Sequence, residues 1–186
     1  VIFTVRVTTA GGAIPTGTVT LSSCEWILFF CGGPNLGWGT QPLVGGVATF
    51  TISGLPVGRN GAYIVPNRMT AVYTPSVGNY NGSQTTLDQT VNTANTSTTL
   101  TSSLNPSSIG DAVTFTATVT VAPPGAGVVT GGTVTFYEGA LVLGTGTVNA
   151  SGVATFTTSA LVMGSHSITA HFQGTDDFGT STSPIL

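Results

Sequence analysis

The chain carries the same ordered series of short blocks twice, and this limits its fold more than any single residue does. GVATFTISGLPVG (46–58) stands against GVATFTTSALVMG (152–164). Ahead of these lie GTVTL (17–21) and GTVTF (132–136), and earlier still VIFTVRV (1–7) and VTFTATV (113–119). MTAVYT (69–74) is followed in the second copy by ITAHFQ (168–173), and LGWGT (36–40) has its counterpart in LGTGT (143–147). Five blocks in one order predict two tandem domains of one fold. The polar run NTANTST (92–98) is the expected joint, which gives domains over residues 1–94 and 95–186.

Within each block apolar and hydroxylic residues alternate with period two, the pattern of half-buried strands. In the second copy Val113, Phe115, Ala117 and Val119 point one way and Thr114, Thr116 and Thr118 the other. Val134, Phe136, Ala154, Phe156, Ile168, Ala170 and Phe172 continue the inward set. The first copy offers Val1, Phe3, Val5, Val7, Val19, Leu21, Ala48, Phe50, Met69, Ala71 and Tyr73. Breakers such as NASG (149–152) separate the runs at hairpin distances. No helical stripe interrupts the pattern, so each copy is expected to form a two-sheet antiparallel sandwich.

Composition excludes several classes of function. The basic residues are Arg6, Arg59 and Arg68, with no lysine, and the formal charge is −3. Such a surface cannot neutralise phosphates, so no nucleic-acid partner is expected. No apolar run approaches the roughly 18 residues needed to span a bilayer. Low charge with abundant threonine, serine, asparagine and glycine points to an extracellular or cell-surface β-repeat.

The stretch TSTTLTSSLNPSSIGDAVTFTATVT, followed by GGTVTFYEG and LGTGTVNASGVATFTTSALVMGSHSITAHFQGTDDFGTSTS, resembles the bacterial Ig-like repeat family of large extracellular surface and adhesin-type proteins. The resemblance covers nearly all of residues 96–183, and the first copy follows it more loosely. It implies an all-β chain of two tandem immunoglobulin-like antiparallel β-sandwiches. It also implies a structural role as a repeat unit of a stalk, adhesin or filament, with neighbouring copies or adjacent Ig-like repeats as partners. The family supplies no shared catalytic residues, so the chain is read as non-enzymatic. The alternative reading is a carbohydrate- or surface-binding adhesion module, with Trp26, Trp38 or Tyr63 stacking on a surface glycan.

The second copy has a leading segment, STTLTSSLNPSSIGDA (97–112), ahead of its VTFTATV block. The first copy begins directly at VIFTVRV, so its sandwich lacks the N-terminal strand. Three explanations fit: an upstream strand lies outside these residues, a neighbouring molecule donates a strand and the chain polymerises, or an insertion closes the domain. The C-terminal TSTSPIL (180–186) is a candidate donor, with Pro184 limiting it to an edge.

The first copy differs from the second by two insertions. Residues 22–35 hold CEWILFFC, where the only cysteines, Cys24 and Cys31, bracket Trp26, Ile27, Leu28, Phe29 and Phe30. Seven extended steps separate two Cα atoms by about 23 Å, whereas a disulfide needs roughly 5.5–6 Å. A Cys24–Cys31 bridge, favoured in an oxidising compartment, therefore requires the chain to turn back and present an apolar tip. Leaving five such side chains in water forgoes on the order of 8–15 kcal/mol, so the tip is a candidate contact, either with the domain's own open edge and joint or with another molecule. Residues 59–68 place Arg59, Tyr63, Ile64 and Arg68 in a second candidate contact loop, expected beside the first.

The remaining polar residues form no reactive constellation. His166 and His171 are read as opposite-facing residues of one strand, and no Cys–His or acidic cluster has metal-ligand spacing. No catalytic residue, metal or cofactor is expected. Asn81, Asn95 and Asn149 head sequons and are possible glycosylation sites.

Overall fold

A computed structural model describes residues 1–27, 30–31, 35–60 and 63–186. Every regular element among them is a strand, and the chain divides into two compact units, Val1–Asn92 and Thr93–Leu186. Each unit has its own buried cluster.

Unit 1 contains β1 (Ile2–Arg6), β2 (Gly17–Ile27), β3 (Phe30–Cys31), β4 (Leu36–Pro42), β5 (Val47–Thr51), β6 (Arg59–Asn60), β7 (Tyr63–Ile64), β8 (Asn67–Pro75) and β9 (Ser83–Gln89). One sheet is the antiparallel pair β1–β5, with Phe3 opposite Phe50 and Val5 opposite Ala48. The other runs β4–β2–β8–β9, with β3 folded against the far end of β2 and β6–β7 a separate short hairpin. The facing sides carry Phe3, Val19, Leu21, Ala48, Phe50, Met69, Ala71 and Tyr73, all buried.

Unit 2 contains β10 (Thr96–Ser102), β11 (Val113–Val121), β12 (Thr133–Glu138), β13 (Leu141–Thr147), β14 (Val153–Thr158), β15 (Ile168–Phe172) and β16 (Ser181–Thr182). Its sheets run β10–β11–β14 and β13–β12–β15–β16, every pairing antiparallel. Strand period two puts Val113, Phe115, Ala117, Val119, Val134, Phe136, Ala154, Ile168, Ala170 and Phe172 into one core. β1, β2, β4, β5, β8 and β9 match β11 through β16 in order and pairing. Unit 1 has no counterpart of β10 among the described residues.

A glycine explains part of the sequence repeat. Gly46 and Gly152, which open the two GVATF blocks, both have φ near +78°, a region where a side chain is strained. A Cβ on Gly152 would stand 2.7 Å from the Val119 carbonyl oxygen. The Gly46 and Gly152 carbonyls accept from Val7 N and Val119 N at 2.9 and 2.8 Å.

Three expectations need correction. The C-terminal segment 180–186 is not a spare donor. Ser181 pairs with Phe172, Ser183 N donates to Ala170 O at 2.9 Å, and Leu186 N donates to Ile168 O at 2.9 Å. His166 does not share a strand with His171: β15 begins at Ile168. Val1 does not face inward, being 59% exposed.

Both tryptophans lie in unit 1, so tryptophan fluorescence follows that unit while far-UV circular dichroism follows both. Phe136 is fully buried and its ring centroid lies 5.7 Å from that of Phe156. Phe136→Ala is expected to destabilise unit 2 by about 3–5 kcal/mol. In a urea titration the dichroism transition then splits and the tryptophan transition stays in place; a joint shift would refute independent cores.

Candidate functional site

The most distinctive site is the place on unit 1 where unit 2 keeps a strand. In unit 2, β10 lies along the outer edge of β11, with Thr98 opposite Val119 and Leu100 opposite Ala117. β1 meets only β5. Val7 N donates to Gly46 O and Ile52 N to Val1 O, both at 2.9 Å, so the odd-numbered residues bond to the β5 side. Antiparallel alternation then turns the backbone N–H and C=O groups of Ile2, Thr4 and Arg6 to the outer edge. Among the described residues no strand pairs with them.

The inner face beside that edge is also uncovered. Val5 and Val7 are half-buried, whereas their counterparts Ala117 and Val119 are fully buried. On β9, Ser83, Thr85 and Leu87 stand opposite Tyr73, Ala71 and Met69 and share their inward face. All three are exposed, Leu87 by 57%, while Ser183, the counterpart of Thr85, is 6% exposed. Two adjoining hollows of about 190 Å³ each run between β1 and β9, with Val5, Arg6, Ala71 and Thr85 lining both.

The insertion of residues 22–35 begins as strand. Ser22, Ser23, Cys24 and Glu25 continue β2 opposite Thr70, Met69, Arg68 and Asn67. Cys24 is buried and Cys31 exposed, and a disulfide joins them with Cα atoms 5.5 Å apart. Trp26 pairs with Cys31 and Ile27 with Phe30, so the chain turns back between the cysteines. Phe30 is 58% exposed. Leu28 and Phe29 lie outside the described residues, as do the side chains of Trp26 and Ile27.

The insertion of residues 59–68 forms the β6–β7 hairpin, Arg59 opposite Ile64 and Asn60 opposite Tyr63, with side chains outside the described residues. Its last two residues belong to β8 rather than to a loop. Asn67 is buried and its Nδ2 donates to Pro56 O at 2.8 Å, tying the hairpin to the chain ahead of it. Arg68 Nε and Nη2 donate to Asp88 Oδ1 and Oδ2 at 2.6 and 2.7 Å, a two-pronged clasp between β8 and β9. The hydrogen bond from Arg68 holds the Asp88 carboxyl below the usual carboxylate range.

The other expected residues have local structural duties. Trp38 is half-buried; its Nε1 donates to Ser23 Oγ at 2.7 Å and its side chain packs against the unit 1 core. Asn149 Oδ1 accepts from Ser151 N and Val153 N at 2.8 and 3.1 Å and shapes the β13–β14 turn. Asn81 and Asn95 are exposed. A larger hollow of about 690 Å³ in unit 2 is lined by Leu104, Ile109, Leu161, Met163 and Leu186, with His166 its one titratable side chain. Among the described residues no group of His, Cys, Asp and Glu could hold a metal ion.

Sequence reasoning missed three features here. β9 reads SQTTLDQ, with one apolar residue, and its strand state is imposed by pairing to β8. The Arg68–Asp88 clasp follows only once that register is known. His166 lies between two oxygen partners, with Nε2 2.8 Å from Val162 O and Nδ1 2.7 Å from Glu138 Oε1. Both acceptors take protons only, so the ring is favoured as imidazolium. Its pKa is raised, first by the Val162 carbonyl and then by Glu138.

Residues 100–186 match the family model described as bacterial Ig-like domain, group 3. Unit 2 is therefore similar to that family over most of its length. Among curated proteins none matches the chain. A crystal structure of a tetra-tandem repeat in the extending region of a large adhesion protein aligns at 18% identity with a TM-score of 0.48. That alignment covers 91% of this chain and 40% of the other, so the chain spans two fifths of its length. Fibronectin(III)-like modules of Clostridium thermocellum CbhA align at 16% identity with a TM-score of 0.29, covering 100% of this chain and 84% of the other.

Two measurements check these sites. Cys24→Ser with Cys31→Ser removes the closure of a short loop, an expected loss of about 2–3 kcal/mol in unit 1, read by tryptophan fluorescence against urea. An unchanged midpoint would mean the bridge does not constrain the unfolded chain. For His166 the raised pKa gives stabilisation that is complete below the unfolded value near 6.5 and lost as pH rises through the folded value. Unit 2 should melt at a lower temperature above that window, and His166→Gln should abolish the pH step.

Proposed function

We propose that this chain is a non-enzymatic, extracellular structural repeat unit of a surface stalk, adhesin or filament, and that a further strand pairs with the open edge of β1 in the assembled protein. The observation that carries this reading is the uncovered edge of β1 above an apolar inner face, at the place where unit 2 keeps β10. A sheet edge with free N–H and C=O groups is a template for another strand. Covering Val5, Val7 and Leu87 without pairing Ile2, Thr4 and Arg6 would leave buried amides unsatisfied, at about 1–3 kcal/mol each. An added strand meets both needs at once.

Within residues 1–186 every described strand already has partners in its own unit, including the C-terminal segment. The match of residues 100–186 to a bacterial Ig-like domain supports the repeat-unit reading. The Cys24–Cys31 disulfide supports an oxidising, extracellular setting. The exposed Phe30 marks the hairpin as a further point of subunit contact.

Electron micrographs of material purified from its source are expected to show fibres or stalks with a regular axial repeat. Thr4 and Arg6 amides that exchange freely in that material would overturn the added strand, because the edge would then stand open.

A further inference from the structure

Unit 2 contains a short irregular segment whose polar fastening depends on one ring. Residues 159–167 join β14 to β15, and residues 161–166 border the hollow of about 690 Å³. Leu161 packs on the core, while Val162 and Met163 are 71% and 88% exposed. Among the described residues no backbone–backbone hydrogen bond ties 161–167 to the rest of the unit. His166 holds the segment instead. Its Nε2 stands 2.8 Å from Val162 O, four residues back, and its Nδ1 stands 2.7 Å from Glu138 Oε1 at the end of β12. The ring closes the segment on itself and staples it to the sheet.

Both contacts need a proton on the ring nitrogen. A neutral imidazole has one N–H and one lone pair. A carbonyl and a carboxylate only accept, so a neutral ring would turn its lone pair on one of these oxygens at hydrogen-bond distance. The imidazolium donates to both. When the proton leaves for solvent, the carboxylate is the stronger acceptor, and the ring keeps Glu138 and releases Val162. Glu138 is fixed in register opposite Ile168, so the movement falls on the exposed segment. Among the described residues no second charge lines the hollow. β11 contributes Val113 and Phe115, β15 contributes Ile168, and the facing segment contributes Leu104, Pro106 and Ile109. The Asp111 carboxylate is occupied in its own turn, where Oδ2 accepts from Ser108 N at 2.7 Å.

We propose that residues 161–166 form a proton-controlled strap along the rim of this hollow. With His166 as imidazolium the strap is closed; with the ring neutral, Val162 and Met163 swing free and the hollow opens. The bonds to Val162 and then to Glu138 raise the pKa of the ring. The strap therefore stays closed near pH 6.5, where an ordinary histidine discharges, and opens as pH rises through the higher folded value. An apolar hollow is sheltered in acid and exposed in more alkaline surroundings.

The test is NMR on the 186-residue chain from about pH 5 to about pH 9. Ring carbon shifts of His166 report its charge, and amide nitrogen relaxation of Val162 to Ser165 reports the strap. Order parameters of about 0.85 are expected below the His166 pKa and of less than about 0.6 above it, with one midpoint for both signals. Order parameters that hold at about 0.85 while the ring discharges overturn the strap. Glu138→Gln removes the ionic partner and keeps an oxygen acceptor, so both midpoints should move together to lower pH; a strap midpoint that stays in place would detach it from His166 and sink the proposal. His166→Gln should leave the segment mobile at every pH, and a transition that survives in it is equally fatal. His171, with Nδ1 2.8 Å from Thr182 Oγ1, is the control: His171→Gln should leave the transition unchanged, and its loss there would place the switch on the wrong ring.

Discussion

Everything distinctive about this molecule follows from the requirement that a sheet edge and the apolar face beside it be covered together. Hydrogen bonds alone do not settle an edge strand, since an exposed amide bonds water nearly as well. Apolar burial alone does not either, because closing the face strands the amides. β10 satisfies both conditions on unit 2: its backbone joins β11, Leu100 fills the core margin, and the hydroxyls of Thr96 and Thr98 reach Ser181. Among the described residues of unit 1 no strand stands in that place, so Val5 and Val7 stay half-buried and Leu87 lies open.

The two insertions act on the opposite sheet and lengthen one strand pair. β2 runs eleven residues against six in β12, and β8 nine against five in β15. The added length pairs in register from Ser22–Thr70 through Glu25–Asn67. Three fastenings hold this extension: the Cys24–Cys31 bridge, the Asn67 bond to Pro56 and the Arg68 clasp on Asp88. A chain so poor in charge places its one bidentate ion pair among the described residues on this extension.

Much of this architecture was legible because alternation of apolar and hydroxylic residues is a direct imprint of the two faces of a sheet. Val113 to Val119 and Ile168 to Phe172 face as their letters imply. Legibility failed where tertiary pairing, not local pattern, decides the strand. β9 and the C-terminal segment are hydroxyl-rich and carry one or two aliphatics, and they become strands only by lying on β8 and β15. The SHS triplet reads as strand, yet the Val162 carbonyl and the Glu138 carboxylate hold His166 in the loop ahead of β15. The open seat was visible only as an absence in one repeat, and its depth and register required the second repeat in three dimensions. Ser22 and Ser23 gave no sign that β2 continues, because their burial comes from the length of β8.

One detail of unit 2 bears on how such a module behaves under tension. Ala94 bridges Phe178 in parallel, its N donates to Asp177 O, and its carbonyl accepts from Gly179 N, both at 2.8 Å. Thr96 adds bonds to Gly179 and Ser181. The first and last strands of the unit thus run side by side in the same direction, and a pull between Thr93 and Leu186 loads these bonds in shear, all together rather than one by one. Rupture under force is governed by the barrier to that concerted slip and not by the equilibrium stability of the core. In a tether, the hydroxyl-rich clamp between the terminal strands, and not the aromatic interior, sets the breaking strength.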